Sequence, residues 1–394
     1  MLNYLPFLII LMILAAFVQA DSVMIIFYMI IGTVTIGLWW NNRTIKKLKL
    51  TRTFDHYAFL NQEVKVQLEV TNRTHLPIIW LGIHESLPVN LRSGAKFNQV
   101  ISLPPKGRHH INYPLYALKR GYYKIGPTFV ASGDVLGITK ASEVSFPEDF
   151  LTVFPRIVSL EQLGLPSKSP FGTIKYNDPI FEDPSRNFGK RDYHIGDSLQ
   201  RIDWKSTAAI GGLQVKQFEA SIALETYLIL DLEQDNYDIK KRYDASEMAI
   251  IITASLANWS IKHKQPIGFC TNGIDPISEN QSPLPILPHK GSPYLKSILE
   301  ILARIEMSQD KPLDTLVQSI QAKSPYGSTI IIITGAYPKT LLNQIIQAKK
   351  KGMNIVLILV GHVFNHSEAE YHANLFGFTY HYLLTTLDLQ LVNN

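Results

Sequence analysis

Two stretches of this sequence gather side chains able to do chemistry. The first is Asp231-Leu232-Glu233-Gln234-Asp235, three carboxylates at alternate positions directly after the apolar run Thr226-Tyr227-Leu228-Ile229-Leu230. Oxygen ligands of this kind suit a hard cation such as Mg²⁺, or acid–base work in a hydrolase. Without an ion, three carboxylates held together would repel one another, so a solvated acidic loop is the preferred reading of Asp231, Glu233 and Asp235. The second stretch lies between residues 180 and 220. There Arg191, Asp192, Asp197, Arg201, Asp203 and Lys205 alternate in sign, with Tyr193 and Trp204 between them. Paired carboxylates beside an arginine can perform acid–base or phosphoryl chemistry. Yet no nucleophile–base pair, phosphate loop or metal-ligand spacing accompanies them, and His194 is solitary. An ordered salt-bridge clamp between two domains, with part of its surface open to a partner, is therefore expected of Arg191, Tyr193, Gly196, Asp197, Arg201, Asp203, Trp204 and Lys205. Gly196-Asp197 reads as a turn. Asp197 or Ser198 is expected to cap a short helix through Trp204, which would place Asp197 and Arg201 four apart on one face. Gly211-Gly212 then turns the chain into an alternating strand, Leu213 to Phe218.

Composition narrows the function classes. Of 394 residues, 18% are charged and 46% hydrophobic. Soluble chains carry about 25% charged residues, so the deficit points to membrane segments. The net charge of +5 comes with no basic–aromatic alternation of the kind that binds nucleic acid. The single cysteine, Cys270, excludes an internal disulfide and argues against a cysteine zinc site. It follows Pro266-Ile267-Gly268-Phe269 and reads as a buried strand residue. His109-His110 reads as a surface loop pair, because neighbours on a strand face opposite ways.

The elements that must position these groups follow from hydropathy. Leu5 to Val18 and Val23 to Trp40 are apolar, with Gln19-Ala20-Asp21-Ser22 between them. Each is near the lower end of the roughly 17–25 residues that span a bilayer, so residues 1–42 read as a transmembrane helical hairpin in contact with membrane lipid. Trp39-Trp40 suits an interfacial belt, and Arg43, Lys46, Lys47, Lys49 and Arg52 follow. No Lys or Arg lies upstream. The positive-inside rule then makes this a multi-pass cell-membrane protein with its large C-terminal portion in the cytoplasm. A cleaved signal ending at Val18-Gln19-Ala20 before one anchor helix is the rival, although a basic leader is missing. Residues 43–155 carry short alternating runs at Val64 to Val70, Ile78 to Ile83, Ile111 to Leu118, Tyr122 to Ile125 and Leu151 to Phe154, separated by turn signals. These read as a β-sandwich. Residues 156–221 form a linker and the charged segment. Residues 222–394 alternate apolar strands (Thr226 to Leu230, Pro266 to Cys270, Ser328 to Thr334, Asn354 to Val360) with helices (Tyr243 to His263, Tyr294 to Ile305, Leu313 to Ala322, Lys339 to Lys351). That pattern indicates a parallel sheet covered on both faces. Ligands of such sheets bind beyond the carboxyl ends of the strands, near Asp231, Glu233, Asp235 and Thr334-Gly335.

The order of parts is itself distinctive. After the hairpin come Lys119-Arg120-Gly121-Tyr122-Tyr123-Lys124-Ile125-Gly126-Pro127 and Gly133-Asp134-Val135-Leu136-Gly137. Arg191-Asp192-Tyr193-His194-Ile195-Gly196-Asp197, Arg201-Ile202-Asp203-Trp204-Lys205 and Val215-Lys216-Gln217-Phe218-Glu219 follow. Across essentially the whole chain this resembles the bacterial family called domain of unknown function 58. The resemblance implies a C-terminal von Willebrand factor type A-like (Rossmann-like) domain. It also implies association with a MoxR-type AAA+ ATPase in assembly or maturation of other proteins. A metal-binding type A domain carries Asp-x-Ser-x-Ser after its first strand, a Thr in a middle loop and a later Asp. Here only Asp231 matches, and Gly335 stands where the later Asp would be. No cofactor is therefore expected, and Mg²⁺ is disfavoured. The resulting expectation is a membrane-anchored, non-enzymatic scaffold or adaptor. Its alternatives are a membrane-associated hydrolase using the acidic loop or the Gly-Asp…Arg-Ile-Asp-Trp cluster, and a metal-dependent adhesion module.

Overall fold

In the computed structural model, residues 10, 13, 21–93, 97–133, 141–165, 187–194, 202–218, 225–278, 281–309 and 311–384 are described. The chain divides into two units, Met1–Pro155 and Arg156–Asn394.

The first unit opens with helix α1 (Asp21–Ile45). Its stretch Met24–Ile45 is long and apolar enough to cross a membrane or to serve as a signal segment. Ile25, Ile26, Tyr28, Met29, Ile36 and Trp39 are exposed along it, so the protein itself does not cover this apolar surface. The other half of the expected hairpin, Leu5 to Val18, lies outside the described residues apart from Ile10 and Ile13, which are helical.

Eleven described strands follow: β1 (Leu48–Thr53), β2 (Tyr57–Phe59), β3 (Glu63–Asn72), β4 (Ile78–Glu85), β5 (Leu91–Ser93), β6 (Asn98–Leu103), β7 (Arg108–Ala117), β8 (Gly121–Ile125), β9 (Thr128–Ser132), β10 (Ser142–Phe146) and β11 (Asp149–Phe154). They form three sheets, ordered β1-β3-β7-β5, β10-β9-β4-β6 and β2-β11-β8. Strand alternation explains the shared core. Val64, Val66, Leu68 and Val70 of β3 point inward, and meet Leu81 and Ile83 of β4, Leu115 of β7, Ile125 of β8 and Leu151 of β11. Truncating a core leucine such as Leu68 to alanine typically costs about 2–5 kcal/mol. His109 and His110 lie on β7 rather than in a loop, and both are exposed.

Arg52 corrects one sequence expectation. It does not flank the membrane as a free cation. Its guanidinium is buried, donating from Nε to Glu85 Oε1 at 2.7 Å, from one terminal nitrogen to Asp149 and from the other to Thr128 Oγ1 at 2.6 Å. The Tyr113 hydroxyl donates to the second Glu85 oxygen. Burial pulls the Arg52 pKa down, but the Glu85 charge and the bonds to Asp149 and Glu85 more than reverse this. Burial, with the neighbouring Glu85, pushes the Tyr113 phenol up.

In the second unit, β12 (Asn187–Asp192) pairs antiparallel with β13 (Gln214–Phe218), and the short helix α2 (Trp204–Ile210) sits between them in sequence. Trp204 therefore begins a helix instead of ending one, and Asp203 is its cap. Beyond lie β14 (Thr226–Leu230), α3 (Arg242–Lys262), β15 (Ile267–Thr271), β16 (Ile286–His289), α4 (Ser292–Arg304), α5 (Leu313–Lys323), β17 (Thr329–Thr334), α6 (Lys339–Lys350), β18 (Asn354–Val360), α7 (His366–Phe376) and β19 (Thr379–Leu383). The sheet order is β16-β15-β14-β17-β18-β19, parallel except for β16 against β15. Tyr227 and Ile229 of β14, with Ile330 and Ile332 of β17, pack against α5, α6 and α7. The alternate residues face the other way, where α3 packs against β14, β15, β17 and β18. Cys270 is buried on β15, and burial raises its thiol pKa.

Candidate functional site

The centre of this sheet is where a doubly wound topology places ligands. From β14 the chain crosses to β15 on one side. From β17, the neighbour of β14, it crosses to β18 on the other. A parallel sheet wound this way opens a binding crevice at the carboxyl ends of that central pair. Asp231 is the first residue after β14, Thr334 is the last of β17, and Asn272 follows β15.

These three side chains converge, and Asn236 joins them. Asp231 is completely buried. Its Oδ1 accepts from the Glu233 backbone N–H at 3.1 Å and from Asn272 Nδ2 at 2.8 Å. Its Oδ2 accepts from Asn236 Nδ2 at 2.7 Å and from Thr334 Oγ1 at 2.6 Å. The Tyr237 hydroxyl donates to the Asp231 backbone carbonyl at 2.6 Å. Asn272 is locked in orientation: its Oδ1 must accept from the Leu232 N–H at 2.7 Å, so its Nδ2 must donate to Asp231 and to the Lys311 carbonyl. Burial pushes the Asp231 carboxyl above the ordinary aspartate range, against the opposing pull of Thr334, Asn272, the Glu233 N–H and Asn236. Burial and the Asp231 charge together raise the Tyr237 phenol.

Gly335 is required by sterics. A Cβ there would lie 2.5 Å from both Asn236 O and Tyr237 Cδ1. The short 3₁₀ turn Gln234–Asn236 thus rests directly on the backbone after β17. The other two acidic residues do not converge on Asp231 inside the fold. Glu233 is half-buried and accepts from Asn236 Nδ2 at 3.3 Å, while Asp235 is exposed. Among the described residues no three His, Cys, Asp or Glu side chains group as a metal site. An ionised carboxylate offers about four lone-pair sites, and the two Asp231 oxygens here face four N–H or O–H donors of the chain.

The charged stretch assembles differently from its sequence reading. Asp203 accepts from the Ser206 N–H at 3.1 Å as the α2 cap, and it pairs with Lys190 of β12 at 2.8 Å. The Lys190 bond first, and the Ser206 N–H second, hold its carboxyl below the usual range. Asp203 therefore ties the β12–β13 hairpin to α2. Arg191 of β12 and Tyr193 just after it are half-buried. His194 is not solitary, with Arg191 3.1 Å from its Nδ1. Trp204 is 68% exposed and Lys205 is exposed. Gly196, Asp197 and Arg201 lie outside the described residues. Sequence reasoning missed Asn236, Tyr237, Asn272 and Lys190, and a polar side chain directly after an apolar strand was the available signal for Asn272.

Among the described residues, fold and site together define a protein with one N-terminal apolar helix and several sheets of mixed α/β content, holding a buried, fully hydrogen-bonded aspartate at the carboxyl end of its six-stranded sheet. Residues 189–332 match the family described as "Protein of unknown function DUF58". The chain is also 22% identical over 284 residues to "Uncharacterized protein YeaD" of Bacillus subtilis (strain 168), covering 71% of this chain and 67% of that protein. Both likenesses point to the DUF58 family, the family match resting on residues 189–332 and the likeness to YeaD on 71% of the chain. Among solved structures, 27% of this chain overlays 16% of the Escherichia coli alpha-2-macroglobulin fragment from domain MG7 to the C-terminus, at 17% identity and a TM-score of 0.24. The same share overlays 86% of the CARDB domain of the PF1109 protein from Pyrococcus furiosus, at 14% identity and a TM-score of 0.20.

Proposed function

We propose that this protein is a membrane-anchored, non-enzymatic adaptor. In this reading α1 is the second helix of a hairpin that holds the chain in the cell membrane. The first unit is a β-sandwich, and the second is a type A-like domain that engages a protein partner in the cytoplasm. The partner is a MoxR-type AAA+ ATPase, and the pair acts in assembly or maturation of other proteins. The strand order, with the antiparallel strand β16 at one edge of an otherwise parallel sheet, supports the type A-like reading. The observation that carries the adaptor reading is the saturation of Asp231. Where a sheet wound this way would take a ligand, the carboxylate spends both oxygens on the chain's own donors. An Asp231 carboxylate engaged in this way favours a structural role over cation binding or activation of water.

The test uses the full chain in nanodiscs and the purified MoxR-type ATPase of the same organism, with binding followed by interferometry and ATP turnover measured in parallel. Saturable binding that Trp204→Ala weakens is the expected result, since Trp204 is the most exposed aromatic of the described charged segment. Absence of binding, together with hydrolysis of ester or phosphoester substrates by the isolated chain, would overturn the adaptor reading in favour of a hydrolase.

A further inference from the structure

Where α1 meets the sheets of its own unit there is a cavity of about 300 Å³, at the lower end of the roughly 300–1,000 Å³ of small-molecule sites. Thr33, Ile36, Gly37, Trp40, Asn41 and Thr44 line it from the helix. Their three- and four-residue spacing makes one face. Pro77, Ile78, Ile79, Ser132 and Gly133 line it from the loops and strand ends opposite. Most polar groups in the wall are already committed. Thr33 bonds the Met29 carbonyl, Thr44 bonds the Trp40 carbonyl, and Trp40 Nε1 donates to the Pro77 carbonyl at 2.9 Å.

Asn41 is the exception. It is 3% exposed, and its Nδ2 donates to the Ser132 carbonyl at 2.9 Å and to Ser142 Oγ at 3.1 Å. A carbonyl can only accept, so the amide cannot be flipped. Its Oδ1 is buried and has no hydrogen-bond partner among the described residues. An unmet buried acceptor is unfavourable, so the site calls for an occupant that is mostly apolar and carries one donor. Directly beyond Asn41, Arg43, Lys46, Lys47 and Lys49 are all exposed, which adds a demand for negative charge.

We propose that this cavity is a lipid site. It seats the glycerol end and upper acyl chain of an anionic glycerophospholipid whose headgroup bears a free hydroxyl. The hydroxyl donates to Asn41 Oδ1, the phosphate lies against the basic residues, and the hydrocarbon fills the space beside Ile36 and Gly37. Phosphatidylglycerol has this chemistry. Phosphatidylcholine lacks the donor and the net charge, and phosphatidylethanolamine has a donor without net charge. The proposal rests on α1 lying in a bilayer.

The full chain is reconstituted into vesicles holding the three lipids in equal amounts. It is floated on a density gradient, extracted in mild detergent, and its bound lipid is read by native mass spectrometry. The expected result is flotation with one phosphatidylglycerol retained per chain, enriched by about tenfold over phosphatidylcholine, as one hydrogen bond to a charged or buried partner confers, and enriched over phosphatidylethanolamine through the phosphate's net charge beside the basic residues. Gly37→Leu projects a side chain into the cavity and should abolish the enrichment without lowering the melting temperature, since leucine favours a helix over glycine. Lys46→Gln with Lys47→Gln should reduce the preference over phosphatidylethanolamine. Failure to float overturns the anchoring and the lipid site together. Flotation with equal retention of the three lipids, with phosphatidylethanolamine preferred, or with enrichment unchanged in Gly37→Leu overturns the lipid site alone. Water as the donor to Asn41 predicts the equal-retention result.

Discussion

Replacing Asp231 with alanine distinguishes a structural carboxylate from a catalytic or metal-binding one. The substitution removes the acceptor of four donors. Three of them keep a second acceptor: Asn272 has the Lys311 carbonyl at 2.8 Å, Asn236 has Glu233 Oε2 at 3.3 Å and Thr334 has the Ala336 carbonyl at 3.3 Å. The Glu233 N–H is left without the side-chain acceptor it uses. Loss of the acceptor that this N–H uses costs up to about 1–3 kcal/mol, and each partly compensated bond about 0.5–1.5 kcal/mol. Allowing for non-additivity among neighbours, Asp231→Ala should cost about 3–5 kcal/mol. For a unit of this size that lowers the melting temperature by about 6–20 °C, read by calorimetry of the full chain in detergent. Asp231→Asn keeps the shape but turns one acceptor into a donor facing Asn236 or Asn272, and should cost about 1–3 kcal/mol. The pH dependence has a definite sign. The folded pKa of Asp231 lies above its unfolded value of about 3.9. Its stabilising contribution is therefore complete below that unfolded value and declines as pH rises through the folded one. Wild type should lose stability relative to Asp231→Asn across that window. A carboxylate kept for chemistry predicts the reverse: unchanged or raised melting in Asp231→Ala, or a wild-type melting temperature that climbs with millimolar Mg²⁺ and does not climb in the variant. Either result refutes the structural reading.

Other perturbations test the remaining features. Glu85→Gln leaves the buried Arg52 charge facing only the half-exposed Asp149. It should cost about 3–5 kcal/mol in urea unfolding, with Arg52→Met and Glu85→Gln combined costing less than their sum; an unchanged midpoint would remove Arg52 from the core. Gly335→Ala drives a Cβ into the Asn236 carbonyl and the Tyr237 ring, costing about 1–3 kcal/mol, and should speed hydrogen exchange at the Glu233 N–H; unaltered exchange would mean the turn rests elsewhere. A cysteine introduced at exposed Lys323 should resist a membrane-impermeant thiol reagent in intact cells and react after permeabilisation. Labelling in intact cells places the second unit outside the cytoplasm.

Legibility in the sequence followed how strongly each element advertises one period. Val64-Lys65-Val66-Gln67-Leu68-Glu69-Val70 alternates cleanly, and β3 contains all of it. Asn354 to Val360 is a continuous apolar run, and β18 has those bounds. The elements left unread lack such a stripe. Helix α7 buries only Ala369 and Ala373, and its larger apolar residues Tyr371, Leu375 and Phe376 are exposed, so no buried stripe marks it. Strand β19, Thr-Tyr-His-Tyr-Leu, lies at the sheet edge with every residue half-buried, which blurs alternation. Strand β16 contains Pro288, a residue tolerated there because the strand is at the other edge. Arg52 was misread for a related reason. A basic residue three positions after the last of a run of lysines looks like more of the same, and only the fold of β1 against β3, with Glu85 and Asp149 arriving from β4 and β11, turns it inward.

The site was half legible, and the missing half changes its meaning. Asp231 and Thr334 could be placed at strand ends from hydropathy alone, because each directly follows or closes an apolar run. Their partner Asn272 looked like an ordinary loop residue, since nothing local says that three strand ends, of β14, β15 and β17, will lie side by side. Gly335 was read as a missing carboxylate, whereas its position is set by the Asn236 carbonyl and Tyr237 ring resting on it. Three alternating acids looked like one cluster. Instead the chain buries one, leaves one half-buried and turns the third to solvent. Burying an ionised carboxylate is expensive unless it is hydrogen-bonded. Four donors, drawn from the loops after β14 and β15 and from the last residue of β17, offset that cost only when the strand ends are correctly aligned. Asp231 therefore rewards one arrangement of the sheet's carboxyl edge over its alternatives. An unaligned edge would leave the charge buried and unmet, which gives the residue a physical role that needs no ligand.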